Sequence, residues 1–192
     1  MLIRRMELRD CDAINTIYNY YITHTAITFD LAPWQKQERE HWFAQFDPSS
    51  RYQAWVAEQD QQIVGFAYNT PFNAKQAFHI ASEITIYAAP DASGRGIGSQ
   101  LMRTLLDGMR DQGLRRAYSL ITLPNPRHWH FIVVWAFSKL GSLTMSAKSS
   151  ANTTVSRCSS MILPFEYAIS PSNKPHPLHH APVRCLHLIP SS

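Results

Sequence analysis

Ser82-Glu83-Ile84-Thr85-Ile86-Tyr87, then a loop of small residues over Ala88–Arg95, then Gly94-Arg95-Gly96-Ile97-Gly98-Ser99 opening an amphipathic stretch: residues 82–99 decide the fold. The first part is the end of a strand read over Phe78–Tyr87. The last part begins a helix over Ile97–Gln112, with Ile97, Leu101, Leu105, Leu106 and Met109 inward and Gly113 as its terminator. Between them the glycines let successive backbone N–H groups converge on one point. A helix start adds unpaired donors and a partial positive charge, so the turn suits a diphosphate. Taken alone, such a turn is as readily structural as functional. Its spacing is neither Rossmann nor Walker, since no Gly-Lys-Ser/Thr follows and the glycines stand too close.

Working outward, Ala117–Leu123 reads as a strand, which makes Phe78–Leu123 a strand–helix–strand crossover. On the N-terminal side, Ala54–Glu58 and Ile63–Tyr68 are strands joined by a turn at Asp60-Gln61-Gln62. Leu2–Met6 is a short first strand. Asp10 or Asp12 is expected to cap a helix whose apolar stripe is Ala13, Ile14, Ile17, Tyr18 and Tyr21. Ile27–Phe29 reads as extended, Trp34–Phe46 as a second helix with Trp42, Phe43 and Phe46 apolar, and Asp47–Ser50 as a turn. Adjacent strands plus one crossover imply an α/β (α+β) mixed sheet with helices packed on it.

The 192 residues suffice for one domain with a proper core. Hydrophobic residues make up 45% and charged residues 17%, no apolar run is long enough for a membrane span, and no leader is evident, so a cytoplasmic protein is expected. The formal net charge of +4 could suggest a nucleic-acid partner. Its distribution argues otherwise: residues 1–126 hold 13 of the 14 acids and 12 of the 18 Lys and Arg, so the excess belongs to residues 127–192. That stretch lacks the aromatic–basic interleaving of a nucleic-acid binder. Its Cys158, His176, His179, His180, Cys185 and His187 have no ligand spacing, and no metal is expected.

The turn matches Ser93-x-x-Gly96-x-Gly98, which resembles the pyrophosphate loop of GNAT-family N-acetyltransferases, with Ser where Gln or Arg is usual. Ser82–Tyr87, Ile17-Tyr18-Asn19-Tyr20, Thr28-Phe29, Trp42-Phe43, Ile63–Ala67 and Leu123-Pro124-Asn125-Pro126 are similar to the phosphinothricin and methionine sulfone/sulfoximine branch of that family, in the same order. The resemblance implies a mixed, mostly antiparallel central sheet flanked by helices, and acetyl-CoA as co-substrate. It implies transfer of acetyl to the amino group of a small amino-acid-like substrate. By the same resemblance, Glu83 is the base for the amine, against the alternative of an ordinary strand glutamate. Thr85, Ile86 and Tyr87 offer backbone to the pantetheine arm, although Tyr87 could equally be core. Ser93, Gly94, Arg95, Gly96, Ile97, Gly98 and Ser99 hold the diphosphate, and Asn125 contacts the cofactor. Thr28, Phe29, Lys75 and Phe78 line the acceptor; Lys75 and Phe78 stand where the family often has Arg and Tyr, which leaves the substrate open. A non-catalytic acyl-CoA-binding module is the alternative function.

After Pro126 the family continues approximately Ala-Ser-x-x-Leu-His-x-x-Leu-Gly-Phe, whereas this chain reads RHWHFIVVWAF. Codons built from the third base of one residue and the first two of the next force Leu from His128/Trp129, Ala from Trp129/His130 and Gly from Trp135/Ala136. The shifted frame thereby permits Ala-Ser-Leu-Ala-Phe-His-Arg-Arg-Leu-Gly-Phe. Residues 127–192 are therefore expected to be an out-of-frame, poorly ordered tail behind an acetyl-CoA-binding core of residues 1–126. The expectation includes loss of the C-terminal strands, an exposed edge at the strand 117–123, and loss of the surface through which family members form homodimers.

Overall fold

One strand, two helices, three strands and a third helix follow in chain order before the crossover closes, and the sheet that results has two unlike faces. The computed structural model describes residues 1–92, 94–123, 131, 146–149 and 159–166. Strand β1 (Leu2–Arg5) precedes helices α1 (Cys11–His24) and α2 (Lys36–Phe43). Strands β2 (Ala54–Gln59), β3 (Gln62–Pro71) and β4 (Ala81–Ala88) follow, then helix α3 (Ile97–Asp111) and β5 (Arg116–Leu123). Strands β6 (Ser146–Ser149) and β7 (Ser159–Glu166) complete a sheet of order β1-β2-β3-β4-β5-β7-β6, in which only β4–β5 is parallel.

The β2–β3 hairpin turns at Asp60 and Gln61, both with positive φ (52° and 63°), the left-handed geometry that matches the twist of a tight hairpin. Helix α3 begins where Gly96 takes φ 78° and ends before Gly113 at φ 73°. Its Ile97, Leu101, Met102, Leu105, Leu106 and Met109 are buried against Ala57, Ala67, Ile84 and Ala117 on one sheet face. Helices α1 and α2 cover the other face through Ile14, Ile17, Trp42 and Phe43, against Val56, Phe66, Tyr68 and Tyr87.

Several boundaries differ from the sequence reading. Residues 26–29 form bends rather than an extended segment, and the second helix is shortened to Lys36–Phe43 with a 3-10 turn at Ala44–Phe46. Residues 76–78 are a 3-10 turn, so β4 starts at Ala81. Asp10 precedes α1 but does not cap it by its side chain. Its carboxylate instead accepts from Arg4 (2.7 and 2.8 Å) and from the Glu7 N–H (2.8 Å).

The expected exposed edge at β5 is also corrected. Strand β7 pairs antiparallel with β5 from Arg116↔Glu166 to Leu123↔Ser159, and β6 pairs with β7. An open sheet edge is a row of backbone donors and acceptors that any extended segment can join. Met161-Ile162-Leu163, flanked by serines and Glu166, is a short apolar run of the kind that can do so.

Candidate acetyl-transfer site

Strands β4 and β5 run parallel and are paired only at Ala81↔Arg116, Ser82↔Ala117 and Glu83↔Tyr118. The ladder stops there, so the β5-facing edge of Thr85, Ile86 and Tyr87 carries no strand among the described residues. Peptide groups left unpaired at a splay can bond an amide-bearing arm laid between the strands.

The glycine turn before α3 follows β4 at its unpaired end. Gly94 and Gly96 both have positive φ (84° and 78°), which side-chain-bearing residues adopt only under strain. The helix ladder starts with the Gln100 N–H bonding the Gly96 carbonyl, so the amides of Ile97, Gly98 and Ser99 precede it. No side chain caps α3 and no acid lies in its first turn, which leaves those donors and the positive helix end to an anion. A Cβ on Gly98 would stand 3.3 Å from the Phe131 ring, so any larger residue would press on it. Arg95 is exposed at the same turn. Ser93 and Asn125 lie outside the described residues, as do the tail cysteines and histidines. Among the described residues no His, Cys, Asp and Glu cluster could hold a metal.

Glu83 occupies the last paired rung before the splay, across from Thr70 on β3 and Tyr118 on β5. It is half-buried, and loss of water around its carboxylate raises its pKa above the ordinary glutamate value. A base with a raised pKa is better matched to removing an ammonium proton near neutrality. Thr85 stands opposite Tyr68 on β3, and burial raises the Tyr68 phenol. Tyr87 packs among Phe66 (5.4 Å between centroids), Tyr18 (5.3 Å) and Tyr21 (5.1 Å). Burial holds its hydroxyl well above the usual phenol range, so its side chain is core and its backbone is what the splay exposes.

The four residues expected to line the acceptor come from two segments. Thr28 is half-buried, and its hydroxyl accepts from the Asp30 N–H (3.0 Å) in the α1–α2 connection. Asp30 in turn accepts from the Tyr18 hydroxyl. Phe29 on that segment and Lys75 on the β3–β4 connection are exposed. Phe78 packs on Phe72 (5.5 Å), whose ring stacks 3.9 Å from that of Tyr118, the β5 neighbour of Glu83. Tyr68, Thr70, Tyr118 and Arg39 were missed by the sequence reading. The signal for Arg39 was available, because it stands three residues before Trp42 on the apolar side of a helix.

Comparison with known proteins fits this geometry. Residues 16–133 match the acetyltransferase (GNAT) family. A phosphinothricin N-acetyltransferase of Streptomyces coelicolor is 36% identical over 135 residues, 69% of this chain and 79% of the relative. An L-methionine sulfoximine/L-methionine sulfone acetyltransferase of Salmonella typhimurium is 28% identical over 113 residues, 59% of this chain and 66% of the relative. A GNAT-superfamily phosphinothricin acetyltransferase from Sinorhizobium meliloti, solved with acetyl-CoA, superposes with TM-score 0.71 at 20% identity, covering 91% of this chain and 92% of that one. A splayed parallel strand pair, an uncapped helix start behind two left-handed glycines and a family match over more than half the residues agree: this chain belongs to the GNAT family of acetyltransferases, which use acetyl-CoA as acetyl donor.

Proposed function

We propose that this chain transfers acetyl from acetyl-CoA to the amino group of a small amino-acid-like substrate of the phosphinothricin or methionine sulfone type. The observation that carries the reading is Glu83 at the last rung before the β4–β5 splay, where a carboxylate and an unpaired backbone edge meet. Acetyl-CoA supplies the activated thioester. The amides of Gly94, Arg95, Gly96, Ile97, Gly98 and Ser99, with Ser93, hold its diphosphate; the backbone of Thr85, Ile86 and Tyr87, and Asn125, hold its arm. Glu83 takes the proton from the acceptor ammonium, directly or through a water. The free amine then attacks the thioester carbonyl, and the C–S bond breaks as the C–N bond is made. The proton the nitrogen sheds in forming the amide goes to the departing CoA thiolate. Thr28, Phe29, Lys75 and Phe78 border the acceptor. With Lys75 and Phe78 replacing the family's usual Arg and Tyr, the choice among amino-acid-like acceptors is this chain's own.

The test is thiol release from acetyl-CoA with phosphinothricin, methionine sulfone, methionine sulfoximine and unmodified amino acids as acceptors. Saturable release with at least one of them is expected. Binding of acetyl-CoA with no release on any amine would leave only an acyl-CoA-binding module.

A cytoplasmic setting goes with this reading, supported by three cysteines with neither an even count nor metal spacing. We also propose that residues from about Arg127 onward are translated out of frame, which the forced codons support. Resequencing codons 120–135 decides it: a missing or extra base supports the shift, and an intact frame ends it. In the restored frame the acetyltransferase would continue beyond residue 126, with the homodimer surface of its relatives available. No nucleic-acid partner is proposed.

A further inference from the structure

Among the described residues, one buried side-chain polar atom has no hydrogen-bond partner, Nη2 of Arg39. Arg39 is 2% exposed, and no ion pair involving it occurs among the described residues. Its guanidinium carbon lies 4.2 Å from the Trp34 ring centroid, 4.6 Å from that of Trp42 and 4.7 Å from that of Tyr18. Its Nε donates to Asn15 Oδ1 at 3.3 Å. Burying a guanidinium without a carboxylate is costly, and three aromatic faces offset only part of that cost. A leucine or methionine would fill the space without the penalty. What the arginine adds is a flat cation that grips three elements at once: α1 through Tyr18 and Asn15, the entry to α2 through Trp34, and α2 through Trp42.

Two of those rings also anchor the connection between the helices. The Tyr18 hydroxyl donates to Asp30. The Trp34 carbonyl accepts from Asn15 (2.7 Å) and Asn19 (2.9 Å), and the Trp34 N–H donates back to Asn19 Oδ1 (2.9 Å). The segment from Thr25 to Gln35 is thus tied at Asp30 and Trp34, and each tie leads to a ring packed on Arg39. The Tyr18 ring meets Tyr87 of β4 as well, which joins the cage to the strand that bears Glu83. We infer that Arg39 is a positioning residue for the acceptor side of the site: its caged guanidinium holds the Thr25–Gln35 segment, with Thr28 and Phe29, in place over α1 and β4. This inference rests on the acceptor role given to that segment under the proposed function.

Arg39→Met keeps the bulk and removes the cation; Arg39→Lys restores the charge without the plane. Backbone hydrogen exchange over residues 25–34 is expected to rise by about tenfold in Arg39→Met, with α3 unchanged. In kinetics, KM for the amine is expected to rise by about tenfold while KM for acetyl-CoA stays within about twofold, and Arg39→Lys is expected to recover part of the difference. If Arg39→Met does not fold, Asn19→Ala frees Trp34 from the opposite side and is expected to give the same pattern. Faster exchange in α3 as well, unchanged exchange over 25–34, or an unmoved amine KM in an active protein would each overturn the inference. Wild-type protein that binds acetyl-CoA but acetylates no amine defeats the acetyl-transfer reading instead, and the exchange measurement then decides alone whether Arg39 holds the segment.

Discussion

The two faces of the sheet are built from different chemistry. The α3 face is aliphatic: Ile97, Leu101, Met102, Leu105 and Met109 lie on Ala57, Ala67, Ile84 and Ala117. The α1/α2 face is aromatic and polar: Tyr18, Tyr21, Trp42, Tyr68 and Tyr87 surround it, with Arg39 and Glu83 among them. Aliphatic packing is non-directional and strong per unit area, so the first face fixes where α3 starts and hence where the unpaired amides of its first turn stand. The second face keeps charges and hydroxyls away from water, which costs stability and shifts proton affinities. One face is an aliphatic scaffold, and on the proposed function the other gives up stability for chemistry.

Glu83→Gln tests that division most sharply. On the role proposed for Glu83, the variant is expected to lower kcat/KM by at least about 10²-fold and to abolish the acid limb of its pH profile. That limb should lie above the ordinary glutamate pKa, because burial raises this one. The same shift fixes the sign for stability. A carboxyl whose folded pKa is raised destabilises the fold once pH exceeds that pKa, so Glu83→Gln should melt no lower than wild type at about pH 8, with the gap closing toward about pH 4. A large fall in Tm at the higher pH would make Glu83 structural and erase the contrast between the faces.

On the aliphatic face the expectation is reversed. Leu105 is fully buried, and Leu105→Ala should cost about 2–5 kcal/mol by denaturant unfolding while leaving the pH profile of turnover in shape. A changed profile with unchanged stability would show that the faces are not separate.

Asp10 carries a smaller, pH-dependent share. Burial pushes its pKa up, but the bonds from Arg4 and the Glu7 N–H outweigh burial and leave it below the usual aspartate value. A carboxyl lowered in this way stabilises the fold above its unfolded pKa, and the contribution is lost as pH falls through the folded one. Asp10→Asn should therefore cost about 1.5–3 kcal/mol near neutrality and progressively less below about pH 4, read as Tm against pH.

The smallest effect is expected where the aromatic face meets the unpaired end of β4. The Tyr21 hydroxyl donates to the Ala88 carbonyl at 2.6 Å, tying α1 to the end of β4. Tyr21→Phe should cost about 1 kcal/mol and raise KM for acetyl-CoA rather than for the amine. A rise confined to the amine would place Tyr21 with the acceptor instead.

Much of the fold was legible in local pattern. The period of α3 and its closing Gly113, the Asp60–Gln61 turn and the crossover into β5 were all readable, because each depends on neighbours within a few residues. The glycine turn pointed to an anion for the same reason. Less of the site was readable. Tyr68 and Tyr118 flank Thr85 and Glu83 only because β3 and β5 lie beside β4 in a particular register. Phe78 to Ile80 read as the start of a strand, but Phe78 lies in a 3-10 turn, packed on Phe72, and β4 begins at Ala81. The pairing of β7 along β5 was also missed, because an edge accepts a partner through backbone groups that leave little mark on sequence.

By itself, then, the sequence determined the helices to within a few residues, the hairpin, the glycine turn before α3 and the resemblance of residues 2–126 to GNAT acetyltransferases, all carried by residues near one another in the chain. Only the tertiary structure decided where the β4–β5 ladder ends, that Glu83 sits on its last rung, and that Arg39 is caged by Tyr18, Trp34 and Trp42. Those facts depend on strand register and helix docking, which are set by the packing of residues distant in the chain.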